Sequence, residues 1–179
     1  MQRTILISLL LTLAPACATL ESTGSGMSDA HVAQSQFERI KSLAGEWTGP
    51  GPAEMGGAPM EVHYRVTSGG NAVEETIMPG SEHEMVSMYH LDGNQVMMTH
   101  YCAVGNQPRM VAVHDSSAGG NISTIRFEYA GATNLASPQA GHMHQMEMTI
   151  DGKDHLTTHW TYFEGGKASH DATFDLKRK

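Results

Sequence analysis

His142 and His144 stand two apart, His100 and Cys102 repeat that spacing, and His170 lies further on, in a chain of 179 residues that holds 11 His and 13 Met. Imidazole is the commonest metal ligand, and an i, i+2 pair on a strand presents both rings on one face. His142, His144 and His170 are therefore one candidate metal- or haem-binding set. Cys102 would add a thiolate beside His100, and Met98 on the same parity a thioether, a donor set suited to a soft ion such as Cu(I). The leading reading is different. Buried imidazoles are mostly satisfied by hydroxyls, carbonyls or water, and Met fills irregular space. On that reading His142, His144, Met146, Trp160, Tyr162 and His170 line a pocket that hydrogen-bonds a small amphipathic ligand, and Cys102 is a small buried residue.

Enzyme chemistry is less well supported. Glu74, Glu75, Glu82 and Glu84 supply carboxylates, but acids spaced this way on amphipathic strands are expected to form a solvated face. A Cys102/His100 nucleophile meets a distance problem, since i, i+2 neighbours stand roughly 6.5–7 Å apart along a strand. No phosphate-cradling Gly-rich loop, His-Glu-x-x-His or Gly-x-Ser-x-Gly occurs. No residue is assigned a catalytic role.

The elements that must position these side chains follow from period and punctuation. Residues 1–16 read as an export signal, with Arg3 before the apolar run Ile5 to Ala14, too short for a spanning helix. Leu13-Ala14-Pro15-Ala16-Cys17 resembles a bacterial lipoprotein box, while Ala16-Cys17-Ala18 also fits ordinary cleavage. In the first case Cys17 is lipidated and residues 17–28 tether the protein to a membrane, placing it in the periplasm or on the outer membrane; in the second it is secreted. A helix is predicted over Asp29 to Ala44, with Ser28 as N-cap, Gly45 as stop and Ala33, Phe37, Ile40 and Ala44 along one face.

Beyond Gly45 the pattern alternates, and Gly-, Asn- and Asp-rich turns separate about ten segments: 45–49, 60–67, 71–78, 83–91, 95–103, 108–115, 122–130, 142–150, 154–163 and 167–177. Short turns and no long crossover predict an all-β fold, an antiparallel up-and-down barrel with one N-terminal helix over residues 29–179. Register then says what faces in. Leu156, Trp160 and Tyr162 form the apolar parity of one strand. A three-residue loop at Asp151-Gly152-Lys153 joins them to Met146, Met148 and Ile150, and a second, containing Gly165 and Gly166, to Ala172, Phe174 and Leu176. That extends inward parity to His142, His144 and His170 and leaves His155 and His159 outside. For His100 the Asp92-Gly93-Asn94 turn allows either face.

Leu43-Ala44-Gly45-Glu46-Trp47-Thr48-Gly49, a helix running into Gly-x-Trp on a first strand, resembles the opening of a lipocalin-like (calycin) barrel. The resemblance implies that Trp47 closes the barrel floor and is covered by a basic residue of the last strand, here Arg178. The chain also resembles a group of uncharacterised exported bacterial proteins with His-Tyr-Cys (100–102), Asn-Gln-Pro-Arg-Met (106–110) and His-Met-His (142–144), which implies a fold and no activity. A formal net charge of -8 leaves no basic surface for nucleic acid. The expectation is an exported barrel holding an amphipathic or hydrophobic small molecule. The alternatives are a metal- or haem-binding barrel, analogous to the nitrobindin type, and a structural envelope protein.

Overall fold

A computed structural model of the chain describes residues 29–51, 57–113 and 123–179; the expected export signal, Cys17, the tether and the Ser28 cap lie outside the described residues. One helix, α1 (Asp29–Lys41), precedes ten strands: β1 (Gly45–Pro50), β2 (Pro59–Thr67), β3 (Ala72–Ile77), β4 (Met85–Asp92), β5 (Gln95–Tyr101), β6 (Gln107–Val113), β7 (Thr124–Thr133), β8 (His142–Asp151), β9 (His155–Glu164) and β10 (Lys167–Arg178). Each strand pairs antiparallel with its sequence neighbours, and β1 pairs with β10, so the sheet is a closed barrel. Closure leaves no long edge unpaired.

The helix lies across one end, the floor. Its buried stripe of Val32, Ala33, Gln36, Phe37 and Ile40 delivers Ala33, Phe37 and Ile40 to the barrel core. The β4–β5 and β8–β9 turns share this end, and Arg39 Nη2 donates to the Ile150 carbonyl oxygen at 2.9 Å. The β3–β4, β5–β6, β7–β8 and β9–β10 connections form the opposite end, the rim.

Trp47, fully buried, donates from Nε1 to the Leu43 carbonyl at 2.8 Å. Arg178 spreads over it, with Cζ 4.3 Å from the ring, while its nitrogens donate to the carbonyls of Ser42, Ala44 and Lys153. Two of these carbonyls follow the last turn of α1, where a cation also meets the negative end of the helix dipole. The glycines around Trp47 have a steric reason. A Cβ on Gly45 would stand 2.8 Å from Arg178 Nη1, and one on Gly49 2.0 Å from the Asp175 carbonyl oxygen.

Interior parity is set by the turns and by two bulges. Asp92 pairs with Gln95 across a two-residue turn with Gly93 at φ 59°, which brings Val96, Met98 and His100 to the inner face. The β9–β10 connection is also two residues, since Glu164 pairs with Lys167. It is one shorter than the sequence pattern suggests. A bulge between Ala168 and His170 supplies the missing residue, so that Trp160 still faces Ala172 and Thr158 faces Phe174.

Candidate functional site

Four inward residues stand directly opposite one another across four adjacent strands: Tyr64 faces Glu75, Glu75 faces Ser87, and Ser87 faces His100. Antiparallel neighbours in such positions are close enough for side chains to bond. The Tyr64 hydroxyl donates to Glu75 at 2.6 Å and Tyr89 donates to the other carboxyl oxygen at 2.7 Å, two hydrogen bonds that favour the charged form. Burial works against that form and pushes the carboxyl above its ordinary range. Both phenols are raised as well, first by burial and then by the neighbouring carboxyl. Glu75, only 2% exposed, is therefore no part of a solvated face. It sits between Val73 and Ile77 on the apolar parity of β3, whereas Glu74 points out to Arg65 at 2.8 Å.

The row ends at His100. Its Nδ1 is 3.0 Å from Ser87 Oγ, and burial holds its pKa down to about 4, so the ring is neutral. It reaches across the lumen to Trp160 on β9, with ring centroids 4.9 Å apart. His100 Nε2, Trp160 Nε1 and Thr158 Oγ1 are all buried and have no hydrogen-bond partner among the described residues. Unpaired buried polar atoms are rare, because each carries a desolvation cost of roughly 1–3 kcal/mol. Around them stand Met98, Met110, Met146 and Met148, each without exposure; Met98 faces Met110, and Met146 faces Trp160.

The histidines of β8 form a second cluster, at the rim. One residue of β8 is unpaired here, because Met143 faces Tyr162 while Gln145 faces Thr161. This bulge shifts the parity above Met146, and Met143 packs on the core. His142 Nδ1 bonds the Ala140 carbonyl at 2.8 Å and its Nε2 lies 2.9 Å from His144 Nδ1. The His144 ring is held between Tyr129 and Phe163, with centroids 4.6 and 3.9 Å away. Its pKa is lowered, by burial first and then by His142.

Three of the four ring nitrogens of this pair are thus taken up within the protein. His170 is elsewhere: exposed, stacked on Tyr162 at 4.5 Å, with Nδ1 3.1 Å from Ser169 Oγ. The three rings share no focus, and among the described residues no group of three or more His, Cys, Asp or Glu side chains is placed to hold a metal ion. His142, His144 and His170 therefore do not form a three-ligand metal site. Cys102 follows the end of β5, half-buried, in a turn closed by Gly105 N to its own carbonyl at 2.9 Å, and burial raises its thiol. On the outer face, His155 bonds Asp175 at 2.8 Å and His159 bonds Thr173 at 2.9 Å.

Trp160 and Met146 therefore belong to the lumen, while His142, His144, Tyr162 and His170 belong to the rim. Tyr64, Glu75, Ser87, Tyr89 and Thr158 complete the interior without having been singled out from the sequence as site residues. The signal for Glu75 was its parity, an acid where the alternation demands an apolar residue. Comparison with protein-family models and with curated proteins finds no match for this chain.

Proposed function

We propose that the chain is an exported, calycin-like barrel protein whose interior binds a small amphipathic molecule, with the polar part of that molecule at His100, Trp160 and Thr158. The observation that carries this reading is the three buried polar atoms left unpaired on the interior wall. A fold that spends a barrel interior on unsatisfied donors and acceptors is less stable than one packed with hydrocarbon, and a bound polar group removes that cost. The methionines suit the apolar part of such a ligand, because unbranched thioether side chains repack around different shapes.

Native mass spectrometry with elemental analysis on protein purified from its own source tests this directly. A retained small organic molecule in stoichiometric amount supports the reading. Stoichiometric metal or haem would replace it with the metal-binding alternative, and an empty barrel with the structural one.

A further inference from the structure

A cavity of about 490 Å³ lies on the floor, between the end of α1, the β8–β9 turn and Arg178. Three cations line it, Arg39 from the helix, Lys153 from the turn and Arg178 from the last strand, against one carboxylate, Asp154. In a chain of formal net charge -8, this local excess of positive charge runs against the whole.

The contacts of the two arginines fix their positions without using up their charge. Arg39 Nη2 donates to the Ile150 carbonyl at 2.9 Å, and Arg178 donates from Nε, Nη1 and Nη2 to the carbonyls of Lys153, Ala44 and Ser42 at 2.9, 2.8 and 2.9 Å. All four acceptors are neutral. A guanidinium bonded to carbonyls keeps its charge, and its planar fork is held in place. Arg39 Nε and Nη1 have no partner among the described residues, and neither has the exposed Lys153 ammonium. Asp154 comes within 3.7 Å of Arg178 Nε, but its side chain is 82% exposed, so water screens the pair. The adjoining acids Glu38 and Asp151 face Lys41 at 3.1 Å and His155 at 3.9 Å. The negative pole of α1 works against an anion here by about half a charge, and Arg178 already covers its Ser42 and Ala44 carbonyls.

Free donors on a fixed fork beside a lysine select an oxyanion. A carboxylate brings a single negative charge. A phosphate monoester brings about 1.5–2 at neutral pH, with three strong acceptor oxygens, which suits three cations set against one acid. We infer that the floor cavity binds a phosphate monoester group, with Arg39 and Lys153 donating to its oxygens and Arg178 supplying charge from the wall. A soluble phosphorylated molecule and a lipid headgroup both carry that group. The site does not depend on the interior-binding reading.

The test follows the amide NMR signals of Arg39, Gly152 and Lys153 in the full-length protein at neutral pH and constant, low ionic strength. Inorganic phosphate, glycerol 3-phosphate and acetate are titrated in turn, then phosphatidylcholine vesicles with and without phosphatidic acid. The phosphates should shift these signals saturably, at concentrations about fivefold or more below that of acetate. Broadening by the phosphatidic acid vesicles and not by plain phosphatidylcholine marks a lipid source, and a response to the soluble compounds alone marks a soluble one. Arg39→Gln and Lys153→Gln should each weaken glycerol 3-phosphate binding by about fivefold. Asp154→Asn should strengthen it by about twofold, a gain that loss of folding cannot imitate. The site is overturned by an equal response to acetate, by shifts no larger than those at Lys167 on the rim, or by three variants that bind as the wild type does.

Discussion

The guanidinium of Arg178 lies 4.3 Å over the ring of Trp47 and ties the floor of the barrel to the end of its helix. The same side chain reaches the Ser42 and Ala44 carbonyls and the β8–β9 turn, so one residue joins helix, first strand and last strand. Trp47→Ala should cost about 3–5 kcal/mol, as a fully buried aromatic truncated in place. Arg178→Ala should cost less, about 1–2 kcal/mol, from lost stacking, stem packing and the carbonyl contacts. Urea unfolding of the two variants checks the order, and a larger loss at Arg178 would assign the closure of the floor to the carbonyl contacts.

Gly49 sits at the seam, where β1 and β10 share only the pairs Trp47–Arg178 and Thr48–Lys177. Gly49→Ala should lower stability by about 2 kcal/mol or more, because the Asp175 backbone cannot withdraw without parting the strands. By contrast a Cβ on Gly165 meets nothing within 4 Å, and its cost is only that of a left-handed φ of 63°. Thermal melts of the two variants should separate clearly.

Acid should destabilise the interior through His100. Its folded-state pKa of about 4 is below the ordinary value of 6.5, so the unfolded chain binds the proton more readily. The contribution is fully present above about pH 6.5 and is lost as pH falls towards 4, a change of about 3 kcal/mol. Glu75 works with the opposite sign: its raised pKa means that the fold favours the protonated form more than the unfolded chain does, and the stability this contributes is lost as pH rises through the folded value. Urea titrations of wild type and His100→Gln between pH 7 and 4 isolate the histidine, and equal pH slopes would remove it as the cause.

At the rim, the His142–His144 contact holds one shared proton. If Nδ1 of His142 donates to Ala140, its Nε2 accepts from His144 Nδ1, and the chain ends at His144 Nε2. Protonation must therefore enter at His144, against burial and against His142. Its ring resonances should titrate with a midpoint below the ordinary imidazole value. His142→Ala should raise that midpoint part of the way, since burial is the larger cause. An unchanged midpoint would mean that the neighbouring ring contributes nothing.

Alternation and turn chemistry made the barrel readable from the sequence, because each strand carries a period-two pattern bounded by Gly, Asn or Asp. Trp160, Met146, Phe174 and Leu176 sit on the parity the pattern assigns them, and all are buried. What alternation could not carry was a local change of count. The bulge on β8 moves Met143 to the core, and the bulge on β10 makes good a turn one residue shorter than the pattern suggests. The Tyr64–Glu75–Ser87–His100 row was hidden for another reason. It depends on the register of four strands at once, and a buried acid on an apolar parity reads, strand by strand, like an exposed one.

Both ends of the described chain lie on the floor side. Asp29 shares a groove with Asn94 and Gln95 of the β4–β5 turn, and the backbone N–H of Lys179 bonds the Glu46 carbonyl at 2.9 Å. A surface, bead or fusion partner attached through either end would therefore hold the protein floor first. The loops at the other end would be turned away from it, so immobilisation and access by way of those loops do not compete.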